Sequence, residues 1–181
     1  GIAVFLVFRL RKVLGRKTGF EKKQQEAQLP TDNAVKDRHK EINIPDLEED
    51  FSELKKAYES NEGFDHKDFF DGAKIAFETI INAFNKGDKK TLKKLVTEGV
   101  FKSFEEAIDS KNIDSDYQFY SINIEKIESV AIESDHIKIC VKFISEQFKN
   151  NDENTVVKKQ DVWTFKKAIK SKDPNWLLSS T

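Results

Sequence analysis

The sequence predicts an α+β domain in which a block of helices precedes an antiparallel sheet. Three observations predict it. Apolar residues recur at helical spacing from Leu47 to Ile108, they recur at every second position from Ile122 onward, and only short polar segments separate the later runs. Short links between consecutive strands favour a meander. Helices gathered ahead of the strands then pack on one face of a curved sheet of about four strands.

Each element can be justified from its own residues. The segment from Asp46 to Ser60 opens on an aspartate, has acidic residues in its first turn, and carries Leu47, Phe51, Leu54 and Tyr58 as one narrow stripe, which reads as a surface helix. After Gly63, Asp65 with Asp68 forms a capping arrangement, and Phe69, Ala73, Ala76, Phe77, Ile80, Ile81 and Phe84 recur at helical spacing up to Lys86-Gly87. Asp88 opens a helix carrying Leu92, Leu95 and Val96. A break near Glu98-Gly99 leads to Phe101, Phe104, Ala107 and Ile108. From Tyr117 the period becomes two: Ile122 and Ile124, a bulge at Glu125-Lys126, then Ile127, Val130 and Ile132. A turn at Ser134-Asp135 precedes Ile137, Ile139, Val141 and Phe143, which alternate with His136, Lys138, Cys140 and Lys142. Asn150 to Asn154 reads as a polar loop, Val157 to Phe165 as a third strand, Lys170 to Asn175 as a turn and Trp176 to Leu178 as a last strand.

Composition bounds the function. The chain has 181 residues, 38% hydrophobic and 35% charged, with 15 Phe, enough to build a packed core. With 31 basic and 32 acidic residues, binding of nucleic acid by charge alone is not suggested. The charge is unevenly placed: residues 1–45 hold ten Lys/Arg against five Asp/Glu, a net of +5, so the remainder carries −6 of the total −1. All four arginines (Arg9, Arg11, Arg16 and Arg38) lie in the first part, leaving residues 46–181 without the planar fork that suits phosphate recognition.

The opening residues carry the clearest localisation signal. Ile2, Val4, Phe5, Leu6, Val7 and Phe8 make an apolar run, followed at once by Arg9, Arg11, Lys12, Arg16 and Lys17, with no acid before Glu21. Eight helical residues span about 12 Å and a bilayer needs ~20 residues, so residues 1–8 read as the remnant of a longer membrane anchor. Cations after the apolar run place the downstream chain on the cytoplasmic (or matrix) side, with the flank among anionic lipid headgroups. The other reading is a buried terminal element with a solvated basic tail; five cations in nine residues favour the anchor. Residues 9–45 are basic flank and flexible linker, interrupted by Pro30 and Pro45, and residues 46–181 are the folded domain, with its core in 64–181.

Nothing in the pattern assembles a catalytic constellation. His39, His66 and His136 are scattered and lack ligand spacing, so neither a metal nor another cofactor is expected. No glycine-rich phosphate loop occurs, Ser103 and Ser121 lack a nucleophile context, and Cys140 reads as structural. The aromatic residues stand out. Phe69, Phe101 and Trp176 join Phe77, Phe84, Phe104, Phe143, Trp163 and Phe165 between helices and sheet. Two readings stay open: a core filled by Phe, or an apolar pocket lined by Phe77, Ile80, Phe84, Phe104, Phe143, Trp163 and Phe165.

Three stretches together carry a family likeness. They are Phe5-Leu-Val-Phe-Arg-Leu-Arg-Lys-Val-Leu-Gly-Arg-Lys-Thr-Gly19; Phe69-Phe-Asp-Gly-Ala-Lys-Ile-Ala-Phe-Glu78 with Phe84-Asn-Lys-Gly-Asp88; and Asp161-Val-Trp-Thr-Phe165 with Asp173-Pro-Asn-Trp-Leu-Leu178. The chain resembles the Tim-forty-four-like family, whose members include the mitochondrial import inner membrane translocase subunit and bacterial homologues. The resemblance implies a cone of the nuclear-transport-factor-two-like type, an inner-membrane location and a non-enzymatic adaptor role in protein translocation. The partners it implies are lipid and a membrane protein or DnaK-type chaperone. The anchor pattern is that of bacterial members, which puts membrane association ahead of the chaperone tether. The alternative is a small apolar ligand-binding or enzymatic cone; a buried ionisable side chain facing a cavity would favour it, with Tyr117 and Tyr120 as the candidates.

Overall fold

The computed structural model describes residues 42–110 and 117–181. The expected anchor remnant, its cationic flank and the linker up to residue 41 lie outside the described residues. The described residues form an α+β architecture, helices first and strands after, with the helices against one face of a four-stranded antiparallel sheet of order β1-β2-β3-β4.

The first helical segment departs from expectation. It is a 3-10 turn, Glu49–Leu54, running into a short helix α1, Lys55–Ser60, and its start lies three residues beyond Asp46. It lies at the surface as expected, with its acids and lysines outward, while Leu54 and Ala57 are fully buried and the turn packs on the first strand. The narrow stripe thus marks a short element that lies over the core and presses one face into it.

The principal helix, α2, is His66–Asn85. Asp65 caps it as expected, its side chain accepting from the backbone N–H of Lys67 and Asp68 at 2.8 and 3.0 Å. It ends where Gly87 adopts φ +67°, a left-handed conformation that disfavours any residue with a Cβ. Asp88 opens α3, Lys89–Leu95, accepting from Thr91 N at 3.1 Å and from its hydroxyl at 2.6 Å. The break before α4, Glu98–Asp109, falls at Val96-Thr97, earlier than the expected Glu98-Gly99. It does so because Thr97 N donates to Leu178 O at 2.9 Å, tying the chain to the last strand.

The sheet is the expected meander. Strand β1, Tyr117–Glu133, is one long strand with three register shifts, one of them between Ile124 and Lys126 where the bulge is expected. Strand β2, His136–Lys149, buries every second residue from Ile137 to Gln147. The β2–β3 link is shorter than expected. Asn150 and Asn151, both at φ 56°, close a two-residue hairpin, so β3 runs Asp152–Ala168. Strand β4, Leu177–Ser180, pairs with Thr164–Lys166 at the far edge.

The core lies between α2 and the inner face of the sheet. Phe77 stacks on Phe143 with centroids 4.5 Å apart and sits 4.5 Å from Trp163, while Phe84 meets Phe104 at 5.2 Å. Large rings from several elements meet in this space.

Candidate functional site

Beside the core, the other flank of α2 opens onto a cleft of about 570 Å³. Helical geometry creates it. Phe69, Ala73, Phe77 and Ile80 point at the sheet, whereas Asp68, Gly72, Ile75, Ala76 and Thr79 line the cleft. Gly72 leaves room there, since a Cβ at that position meets nothing within 4 Å. The far wall comes from the end of β3 and the turn after it: Lys167, Ile169, Lys170 and Trp176. Phe64 and Phe69 fix Trp176 edge-on at 6.4 and 5.0 Å, and Lys167 Nζ lies 5.8 Å from the centre of its ring. Asp173 Oδ1 accepts from Asn175 N at 2.9 Å and from its side-chain amide at 2.7 Å, which shapes the turn that presents the indole.

The cleft is apolar at its base and charged on both walls. Phe69, Ala73 and Phe165 are buried beneath it, and Ile75 stands 64% exposed on its rim. Asp65 and Asp68 lie on the α2 side, and Lys167 and Lys170 lie opposite. The N–H groups of Asp68 and then Lys67 hold the Asp65 carboxyl below the usual carboxylate range, so that wall is negative at neutral pH. Such a surface can seat an apolar segment and fix its direction by charge.

The seven residues expected to line an apolar pocket all belong to the buried core cluster, and one of them also borders this cleft. Phe77, Ile80, Phe84, Phe104, Phe143 and Trp163 are buried against one another in the core, and Phe165 alone of the seven reaches the cleft. The tyrosines do not face it either: Tyr120 is 61% exposed, and the ring of Tyr117 lies under Lys159 Nζ at 4.2 Å. Cys140 is half-buried on the sheet face away from the core. Of the histidines, His39 is outside the described residues. His66 Nδ1 pairs with Tyr58 Oη at 2.6 Å and His136 Nδ1 with Asp135 Oδ1 at 2.6 Å. Among the described residues no group of three or more His, Cys, Asp or Glu is placed to hold a metal ion. Among them, too, no helix is long and apolar enough to cross a membrane.

Two features escape a reading of the sequence. The first is the cleft: its signal, Gly72 and Ile75 beside the core-facing stripe of α2, is small and broken. The second is a change of polarity along the inner sheet face. On β2, Ile137, Ile139, Val141 and Phe143 give way to buried Ser145 and Gln147, with Gln147 Nε2 donating to Ser145 Oγ at 3.0 Å. On β3, Phe165 and Trp163 give way to Asp161, 7% exposed and paired across the sheet with Phe143.

No curated protein is similar to the chain. Among solved structures, the intermembrane space region of the chloroplast protein ARC6 is similar over 65% of this chain and 94% of that one, at 12% identity and a TM-score of 0.35. Residues 52–181 match the model of the Tim44-like domain, from within the 3-10 turn to the last residue of the chain. The chain belongs to the Tim44-like domain family.

Proposed function

We propose that this protein is a membrane-associated, non-enzymatic adaptor whose folded unit docks partners through the cleft beside α2. The family is one of membrane-associated protein translocation, and that supports the setting. The observation that carries the docking role is the cleft itself, an apolar base with an isoleucine 64% exposed on its rim and opposite charges on its walls. In this reading residues 2–8 belong to an inner-membrane anchor. Arg9, Arg11, Lys12, Arg16 and Lys17 rest on anionic lipid, and the folded unit faces the cytoplasm (or matrix). Its partners are membrane or translocation proteins, a DnaK-type chaperone among the candidates.

Two measurements test the reading. The intact protein sediments with membranes, and replacing the five cations by Gln weakens retention or scrambles orientation, each charge contributing about 1 kcal/mol. A wholly soluble intact protein overturns the membrane part. A photo-crosslinker at position 75 captures a defined partner in cells; capture of nothing overturns the docking part.

A second reading, a small-ligand or enzymatic cone, draws on Asp161 alone, a buried carboxylate on the inner face. It predicts that Asp161→Asn abolishes binding of a small ligand found by metabolite profiling, whereas the adaptor reading predicts unchanged capture at position 75.

A further inference from the structure

We infer that the partner seated in this cleft is a second copy of the chain, each copy inserting Ile75 into the cleft of the other about a twofold axis. The inference rests on reading the cleft as a docking surface. It comes from finding both halves of one interface on a single face. Ile75 is the projection, 64% exposed. Gly72, one turn before it, borders the recess, with nothing within 4 Å of where a Cβ would stand, above a base of Phe69, Ala73 and Phe165.

Charge selects the partner. A twofold axis running lengthwise along the cleft, parallel to its walls, turns each wall onto the opposite wall of the other copy, so Asp65 and Asp68 of one face Lys167 and Lys170 of the other, twice over. A surface of one sign would repel its own copy; this one carries both signs on opposite sides of an apolar strip. An anionic lipid headgroup fits less well, because it would meet the carboxylates of the α2 wall. The Trp176 ring, fixed by Phe64 and Phe69 on the wall across from the isoleucine, supplies a rigid aromatic anchor, the residue type that dominates interface energetics.

The test is sedimentation of the full chain in detergent over a concentration series, with thermal melts to confirm that each variant folds. The wild-type chain forms a dimer. Ile75→Asp weakens it by roughly tenfold or more, as loss of a central anchor does. Asp68→Lys alone and Lys170→Glu alone each weaken it as well, since each sets like charges face to face. Mixing those two variants in equal amounts restores association, because in the mixed pair every acid again meets a base. A monomeric wild-type chain overturns the inference. So does association indifferent to Ile75→Asp, or a mixture no tighter than the single variants. The photo-crosslinker at position 75 separates the levels: a captured second copy supports both readings, a different captured protein overturns self-pairing and leaves the docking surface standing, and no capture overturns both.

Discussion

The two flanks of α2 carry unlike sequences and face unlike surroundings. Toward the sheet, Phe69, Phe77, Ile80 and Phe84 are buried, and the three phenylalanines meet rings from β2, β3 and α4; toward the cleft, Gly72, Ile75, Ala76 and Thr79 leave a groove with open space above it. Under the proposed docking role, one helix divides stability from recognition by angle around its axis. Substitutions on the first flank should unfold the protein, and substitutions on the second should leave it folded but change what it holds.

The largest expected effect is on the core flank. Phe77→Ala removes a ring in contact with Phe143 and Trp163 and should cost about 3–5 kcal/mol, read by chemical denaturation. A loss below about 1 kcal/mol would mean the stack does not hold α2 to the sheet. Next comes Gly87→Ala at the end of α2. A φ of +67° is strained for alanine, and a loss of about 1–2 kcal/mol is expected even though the new Cβ would make only an ordinary 3.5 Å contact with Ile108.

On the cleft flank the sign reverses. Gly72→Ala replaces a glycine inside an exposed helical stretch where nothing obstructs a methyl group, so it should stabilise by about 0.5–1 kcal/mol. A destabilised variant would show that the space above Gly72 is already filled. Ile75→Asp should change the unfolding free energy of the dissociated chain, measured at high dilution, by no more than about 0.5 kcal/mol while it weakens docking.

The smallest effect is a pH dependence at the surface. Hydrogen bonds hold three carboxyls below their ordinary range: Asp65 chiefly through Asp68 N–H, Asp88 through the Thr91 hydroxyl and Glu133 through Lys138. Their stabilisation is full above the ordinary carboxylate range and fades as pH falls through the depressed values. Lys89, hydrogen-bonded to Asp109, and Lys142, to Glu125, are raised above the ordinary lysine range, so their stabilisation is full at neutral pH and is lost as pH rises through those raised values. Melting temperature against pH should therefore be flat through neutrality and fall at both ends. Because these groups are exposed, salt should flatten the curve.

Much of the architecture is legible in the chain alone because its signals are local. Asp65 and Asp88 cap helices with their own side chains, Gly87 ends one by its backbone, and β2 alternates without interruption. The features that sequence reasoning misses depend on contacts across the fold. The α3–α4 break is set by Thr97 meeting Leu178, far along the chain, and the segment before α1 is set by Leu54 entering the core. Asn150 and Asn151 turn the hairpin in two residues. The polar residues after them look like loop because Asp152 and Thr155 satisfy one another locally, Thr155 Oγ1 donating to Asp152 O at 2.7 Å. The aromatic residues are ambiguous for a deeper reason: inward-facing periodicity is the same for a filled core and for a pocket lining, and only packing separates them. The cleft leaves almost no periodic trace, since a recess is made by small residues and its walls come from segments widely separated in the chain.

The proposed division of α2 into a flank that holds the fold and a flank that docks a partner is tested most directly by comparing photo-crosslinking yield in cells from position 75, on the cleft rim, with that from position 78, exposed on the same helix outside the cleft. A discrete captured species is expected from position 75 and none above background from position 78. Equal yields from both, or capture from position 78 alone, would contradict that division.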